Sequence, residues 1–112
     1  MVLELIIKAI DDKKGEEIVA IDVSKSSPIC DYFVICSATN ERQLMSIANA
    51  IDDELAKNDY EIKKIEGKGS KWIIVDAKEI IVHIFTKDER ASYNLEKLWS
   101  PFPLVDISSY LN

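Results

Sequence analysis

Few side chains in this sequence are arranged for catalysis. The single histidine, His83, is not accompanied by a serine or cysteine nucleophile in a diagnostic motif, and a lone strand histidine is more typical of a structural group. The two cysteines, Cys30 and Cys36, lack the spacing of a disulfide framework. Together with His83 they would still lack a fourth zinc ligand. We therefore expect reduced core thiols in a cytoplasmic protein, with no metal and no cofactor.

A glycine-rich loop at residues 67–70 (GKGS) invites two enzymatic interpretations. It lacks the spacing of a nucleotide-binding P-loop and precedes a strand instead of a helix N-terminus, which argues against phosphate binding. A glycine-serine turn before a strand that carries two aspartates would suggest metal-dependent nucleotidyl transfer. Here the strand ends at Asp76, Ala77 and Lys78, so the second carboxylate is missing. Neither enzymatic interpretation is favoured.

The net charge favours a protein partner over a nucleic acid. The chain of 112 residues, the size of one domain (1–112), has 20 acidic and 14 basic side chains and a net charge of −6. Phosphate binding requires a local basic excess, and the most basic stretch, residues 63–71, is interrupted by Glu66. The N-terminal apolar run is short and contains Glu4, so we expect neither a signal peptide nor a membrane span. An acidic surface suits a basic protein partner or none.

Hydrophobic periodicity predicts an α/β domain with the element order α-β-β-α-β-β-β-α. The predicted elements are a helix from residue 3 to 13–15, strands at 18–23 and 31–38, a helix from 41 to about 57, an edge strand at 60–66, strands at 71–76 and 79–85, and a helix from 87 to before Pro101. Asn40 with Gln43, and Thr86 with Glu89, form capping boxes ahead of the second and third helices. The strand, helix and strand at 31–66 predict a crossover whose strands run parallel or share one sheet.

The last two predicted strands form a hairpin with two different faces. A two-residue turn at Ala77 and Lys78 would place partners opposite each other in antiparallel register. The predicted pairs are Asp76 with Glu79, Ile74 with Ile81, and Trp72 with His83. These side chains then share one side of the sheet, while aliphatic residues at 73, 75, 80, 82 and 84 share the other and suit a helix-covered core.

The mixed side of this hairpin has two interpretations. Its centre is apolar and its rim is acidic, which resembles a protein-binding surface more than an active site. Large apolar side chains are usually buried, so a helix or the C-terminal tail (residues 100–112) could equally cover this side. The two prolines and the apolar residues of the tail favour a segment that lies over the domain or joins a partner.

Six segments in order resemble the ribosomal silencing factor family, also called RsfS or Iojap. They are DYFVIC (31–36), ERQ (41–43), EG (66–67), WIIVD (72–76), VHIF (82–85) and ERASYNLEKLW (89–99). The resemblance runs from the first helix to about residue 106, which is nearly the whole chain. One departure lies in the hairpin turn, where Lys78 stands at a position usually occupied by glycine in the family.

The resemblance implies a single α/β domain with a mixed five-stranded sheet flanked by helices, similar to nucleotidyltransferases but without their catalytic carboxylates. It also implies a cytoplasmic, non-enzymatic factor that binds the large ribosomal subunit through ribosomal protein L-fourteen. Such a factor sterically blocks joining of the small subunit and represses translation when nutrients are limiting. Little direct contact with RNA and no contact with a membrane are expected.

The hairpin faces and the family motifs together predict the partner-binding residues. The predicted contacts are the apolar anchors Trp72, Ile74 and Ile81, the acidic contacts Asp76, Glu79 and Glu89, and the supports or rim contacts His83, Arg90 and Tyr93. Two alternatives stay open: a nucleotidyltransferase-like enzyme that acts on nucleotides or RNA ends, and an adaptor that uses the same patch to form a homodimer.

Overall fold

A computed structural model describes residues 2–112. The elements in chain order are α1 (Val2–Asp12), β1 (Glu16–Asp22), β2 (Tyr32–Ala38), α2 (Glu41–Lys57), β3 (Lys64–Glu66), β4 (Trp72–Asp76), β5 (Ile80–Thr86), α3 (Lys87–Tyr93), α4 (Leu95–Leu98) and a 3-10 helix (Ser108–Tyr110). The predicted order of helices and strands is confirmed, with α4 and the 3-10 helix as additions. Among the described residues, no helix has the length and apolar character needed to cross a membrane.

The five strands form one mixed sheet in the order β1-β2-β5-β4-β3. Neighbours β2 and β5 run parallel, and every other neighbouring pair is antiparallel. The predicted crossover is therefore correct in direction, since β2 and β3 share the sheet and run parallel, but β5 and β4 lie between them. The positions follow from composition: β3 exposes Lys64 and Glu66 and suits an edge, whereas β5 is largely buried and takes the centre.

Helices α1 and α2 cover one face of the sheet with their apolar stripes. Leu3, Ile6 and Ile10 of α1 and Ile47 and Ile51 of α2 are buried against the alternate strand residues that face them. The aliphatic side of the β4–β5 hairpin belongs to this core, as predicted. The opposite face of the sheet is left to smaller elements, α3 and α4, and to the chain that follows them.

The start of α2 differs in detail from the predicted capping box. The Asn40 side chain accepts a hydrogen bond from the backbone N–H of Gln43 at 2.8 Å, as expected of an N-cap. The Gln43 carboxamide accepts from the N–H of Thr39, not Asn40, and its NH₂ group donates to the carbonyls of Lys13 and Lys14. Gln43 therefore ties the end of α1 to the start of α2.

The predicted register of the hairpin is wrong by two residues. The loop consists of Lys78 and Glu79, because Ala77 is still paired: its N–H donates to the carbonyl of Ile80 at 2.9 Å. The observed pairs are Asp76 with Ile81, Ile74 with His83, and Trp72 with Phe85. The Asp76 carboxylate accepts from the N–H of Lys78 at 3.0 Å, which starts the turn one residue later than predicted. A shift of two residues preserves the face of every side chain, so the predicted two sides of the hairpin remain.

Lys78 holds a backbone conformation that favours glycine. Its φ of 71° lies in the left-handed region, where a Cβ is unfavourable. Lys78→Gly should therefore raise the free energy of unfolding by about 0.5–1 kcal/mol, after the greater freedom of glycine in the unfolded chain is subtracted. Urea titration measures the change, and Lys78→Ala is the control because it removes the charge but keeps the Cβ. Equal stability of the glycine and alanine variants would contradict the strain argument.

The predicted third helix is interrupted at Asn94. Thr86 caps it as expected, accepting from the N–H of Glu89 at 3.4 Å. Asn94, however, has a left-handed backbone conformation (φ 48°, ψ 51°) and ends α3. The four-residue helix α4 follows it. Asparagine tolerates this conformation better than most residues do. The prediction of one continuous helix from residue 87 to before Pro101 is therefore wrong.

The tail lies over the domain, as predicted. It runs beside β1, where the N–H of Asp22 donates to Pro103 and the N–H of Val105 donates to Ala20. Ile107 then enters the helix-covered core, and the N–H of Asn112 donates to the Asp11 carboxylate at 2.9 Å. The tail thereby covers the free edge of β1, which would otherwise present unpaired backbone groups.

Candidate protein-binding face

Aromatic side chains dominate the sheet face opposite α1 and α2. We call this surface the aromatic face, and its rings belong to Phe33, Trp72, His83, Phe85, Tyr93, Trp99 and Phe102. Ile21, Ile35 and Phe85 are buried in its floor. Only α3, α4 and the turn after them lie across it, so most of its rings stay partly accessible. This side is therefore covered at one end and open at the other, and the protein-binding interpretation of its open part stays a prediction.

Trp72 begins β4 on the aromatic face and is held from three directions. Its ring stacks on Phe85 at a centroid distance of 4.8 Å and meets Tyr93 at 4.7 Å. Its indole N–H donates to Nδ1 of His83 at 3.1 Å. The side chain remains only half-buried. A large aromatic ring that is fixed before binding and still partly exposed is the typical anchor of a protein interface.

His83 supports Trp72 and is neutral. Burial lowers the pKa of His83 from its ordinary 6.5 to about 4. Because Nδ1 accepts the hydrogen bond from the Trp72 indole, the neutral ring carries its proton on Nε2. Its neighbours are aromatic: the Phe33 and Phe85 rings lie 5.7 and 6.2 Å away. This environment suits a structural group better than a general base.

A second group of rings extends the aromatic face towards the C-terminus. Phe33 lies between His83 and Trp99, and its centroid is 4.6 Å from that of Trp99. Trp99 in turn contacts Phe102 at 5.4 Å. The two tryptophans therefore belong to one continuous set of ring contacts that passes through His83 and Phe33.

The other predicted contacts lie along the hairpin and on α3. Ile74 and Ile81 are half-buried on the same face, and Asp76 stands beside Ile81 at the end nearest the hairpin turn. Glu79 is exposed in the turn itself. It is not paired with Asp76 as predicted, because the partner of Asp76 is Ile81, two residues further along the chain. On α3, Glu89 is half-buried and Tyr93 is 53% exposed.

Arg90 is the exception among the predicted contacts, because it points inwards. It is only 7% exposed. Its Nε–H donates to the Glu96 carboxylate and its Nη1–H donates to the Ser37 hydroxyl, both at 2.8 Å. Of the two roles predicted for this residue, the geometry suits a support and not a rim contact.

Comparison with known proteins assigns the chain to a family. A family model described as "Ribosomal silencing factor during starvation" matches residues 1–112. The chain belongs to the ribosomal silencing factor family. It is 41% identical to the Ribosomal silencing factor RsfS of Bacillus subtilis over 112 residues, which cover 99% of this chain and 95% of the relative. These values extend the resemblance found in the sequence to the full chain.

Structural and more distant relatives agree with this assignment. The crystal structure of a Chromobacterium violaceum protein superposes with a TM-score of 0.86 at 30% identity, covering 88% of this chain and 83% of that one. A mouse protein named "Mitochondrial assembly of ribosomal large subunit protein 1" is 30% identical over 106 residues, which cover 88% of this chain and 45% of the mouse protein. The α/β fold with its mixed five-stranded sheet is thus shared with solved structures.

The glycine-rich loop of this silencing-factor chain is a structural turn. Gly67 has a φ of +88°, and a Cβ there would lie 2.2 Å from the carbonyl oxygen of Trp72. The Ser70 hydroxyl lies 2.6 Å from the carbonyl of Gly67 and 2.9 Å from that of Trp72. The loop therefore closes the connection from β3 to β4 and fixes the chain directly before Trp72.

Other reactive groups of this silencing-factor chain lie away from the surface. Both cysteines are free and buried, as predicted, and burial raises the pKa of Cys36 to about 12. Within residues 2–112, no group of three or more histidine, cysteine or acidic side chains is placed to hold a metal ion.

The sequence did not predict Phe33, Trp99 and Phe102 as parts of the aromatic face. Phe33 shares the parity of Ile35 on β2, which is a usable signal for its face. Its contact with His83 depends on β2 pairing with β5, however, and these strands are more than forty residues apart in the chain. Trp99 and Phe102 lie on the aromatic face only because helix α3 ends at Asn94 and the chain changes direction there.

Proposed function

We propose that this chain binds the large ribosomal subunit through ribosomal protein L-fourteen and sterically blocks joining of the small subunit, thereby repressing translation when nutrients are limiting. Membership in the silencing factor family supports a role on the ribosome. The name of the mouse relative, which concerns the ribosomal large subunit, supports the choice of subunit. The observation that carries the proposal is the half-buried, preorganised Trp72 on the aromatic face.

The chemistry of the aromatic face suits a protein partner. Trp72, Ile74 and Ile81 present apolar surface whose burial would stabilise a complex. His83 and Arg90 act as supports below the surface. His83 accepts a hydrogen bond from the Trp72 indole, and Arg90 donates hydrogen bonds to Glu96 and Ser37 of its own domain. Occupation of a surface needs no bond-making step, so the proposed mechanism is non-enzymatic.

The charge of the chain suits a basic protein on an anionic particle. With a net charge of −6, the chain is repelled by ribosomal RNA and attracted by a basic ribosomal protein. Asp76 and Glu79 at the hairpin turn, with Glu89 and Tyr93 on α3, would lie at the rim of the complex. Rim charges mainly speed association and fix orientation, while the apolar centre slows dissociation.

A subunit-joining assay with purified ribosomal subunits tests this function. Addition of the chain to large subunits before small subunits should reduce the formation of joined ribosomes, and the chain should sediment with large but not with small subunits. Calorimetric titration with nucleoside triphosphates and Mg²⁺ should give no saturable heat. Normal joining at a saturating concentration of the chain would contradict the proposal, and saturable nucleotide binding would favour the enzyme alternative.

Reversal of one rim charge should weaken the complex selectively. Glu79→Lys should reduce affinity for large subunits by about fivefold to tenfold at low salt, because it replaces an attractive rim charge with a repulsive one at an exposed position of the turn. Sedimentation at several salt concentrations measures the effect, which should shrink as salt rises. The matched control is Asp52→Lys, an identical charge change at an exposed position on α2, on the other side of the sheet. Equal loss of affinity in both variants would indicate a general charge effect and not a contact.

A further inference from the structure

Helix α4 is too short to hold its own position. It has four residues and follows the left-handed Asn94, and isolated helices of this length are unstable in water. Its Leu95 packs on the aromatic face, as does the following Trp99, but Leu98 is 70% exposed. Some other contact must fix the direction in which α4 leaves α3.

Arg90 supplies that contact, because its guanidinium joins three elements. It belongs to α3, donates from Nη1 to the buried Ser37 of β2, and donates from Nε to Glu96 of α4. The planar guanidinium fixes both donor directions at once, which a lysine ammonium cannot do. Ser37 is 1% exposed, so one end of this bridge is anchored inside the domain.

We infer that Arg90 is a positioning residue, which holds α4 so that Leu98 and Trp99 form a second wall of the surface that binds a basic protein of the large subunit. This inference rests on the proposed function. Its geometric support is continuity: Trp99 contacts Phe33, Phe33 contacts His83, and His83 holds Trp72. The position of α4 therefore determines the distance between Trp72 and Trp99. If α4 is not held in place, this preorganised arrangement is lost and binding weakens.

Two substitutions loosen the bridge from opposite ends. Ser37→Ala removes the buried acceptor and cannot act through direct contact with a partner, because Ser37 has no accessible surface to offer. Glu96→Ala removes the half-exposed acceptor, and Glu96→Gln is the conservative variant because it keeps an oxygen in place. The matched control is Glu16→Ala, which removes the exposed ion pair of Glu16 with Lys87 at the start of α3.

Two measurements on these variants test the inference. In native-state hydrogen exchange, Ser37→Ala and Glu96→Ala should speed exchange at the α4 amides about tenfold or more, while the strand amides keep their protection. Their affinity for large subunits should fall about fivefold to tenfold. In both measurements, Glu96→Gln should give values between those of the two alanine variants and those of the unmodified chain. Glu16→Ala should match the unmodified chain in both.

The outcomes separate this inference from the proposed function. Unchanged α4 exchange in both alanine variants overturns the positioning role. Weak binding by Glu96→Ala with normal binding by Ser37→Ala also overturns it, because Glu96 would then be a direct contact. If the unmodified chain fails to bind large subunits, the proposed function is wrong, and the exchange measurement still decides whether Arg90 positions α4. Glu96 is partly exposed, so its variants keep the test available should Ser37→Ala fold poorly.

Discussion

Trp72→Ala should weaken binding to the large ribosomal subunit by about 30-fold or more, the size typical of a central aromatic anchor. The indole is half-buried before binding, stacked on Phe85 and bonded to His83, so little conformational freedom is lost when a partner covers the rest. Truncation removes both the proposed anchor surface and the ring that contacts Tyr93. Co-sedimentation of the variant with purified large subunits measures the effect, and subunit joining should recover in parallel.

Loss of Trp72 also lowers the stability of the domain, so binding must be measured where the variant is folded. Trp72→Phe serves this purpose, because it can keep the stacking on Phe85 but lacks the N–H that donates a hydrogen bond to His83. Its affinity for large subunits should fall only a fewfold. The matched control is Tyr110→Ala, which removes an aromatic ring packed on the helix-covered side of the sheet. If folded Trp72→Ala binds large subunits as well as Tyr110→Ala does, the aromatic face is not the binding surface.

The hairpin illustrates why faces can be predicted from sequence when registers cannot. Alternation along β4 and β5 predicted two sides, and the buried Ile73, Val75, Val82 and Ile84 confirm the aliphatic one. The register was wrong because it depends on whether Asp76 caps the turn, a local hydrogen bond that periodicity does not encode. The error was an even number of residues, so Trp72 stayed on its predicted face.

The aromatic face as a whole depends on contacts between distant parts of the chain. Phe33 reaches His83 only through the parallel pairing of β2 with β5, and Trp99 reaches Phe33 only after the left-handed turn at Asn94. The helical pattern after Thr86 gave no sign of that interruption. The same interruption lets Glu96 meet Arg90, a contact that residues six apart on one continuous helix would not make.

His83 should make the stability of the domain depend on pH between about 6.5 and 4. Burial lowers its pKa to about 4 in the folded chain, whereas the unfolded chain has the ordinary value of 6.5. Between these values the unfolded chain binds a proton that the folded chain does not, so the free energy of unfolding falls as the pH falls. The expected loss is about 2–3 kcal/mol by pH 4, and little change comes from His83 above pH 7. Urea titrations at half-unit pH intervals measure it.

The His83→Asn variant isolates this contribution, because an amide oxygen can still accept from the Trp72 indole but does not titrate. The pKa values of the Glu4, Asp22 and Asp106 carboxyls are also lowered, by hydrogen bonds from Lys8, Ser24 and Ser108 respectively, and these groups lose their contribution as the pH falls further. Both proteins share those carboxyls, so the difference between the two pH profiles reports His83 alone. The unmodified chain should lose about 2–3 kcal/mol of stability relative to His83→Asn as the pH falls from 6.5 to 4. Parallel profiles across this window would show that the folded domain accommodates a charged His83, and that the neutral ring is not required to hold Trp72.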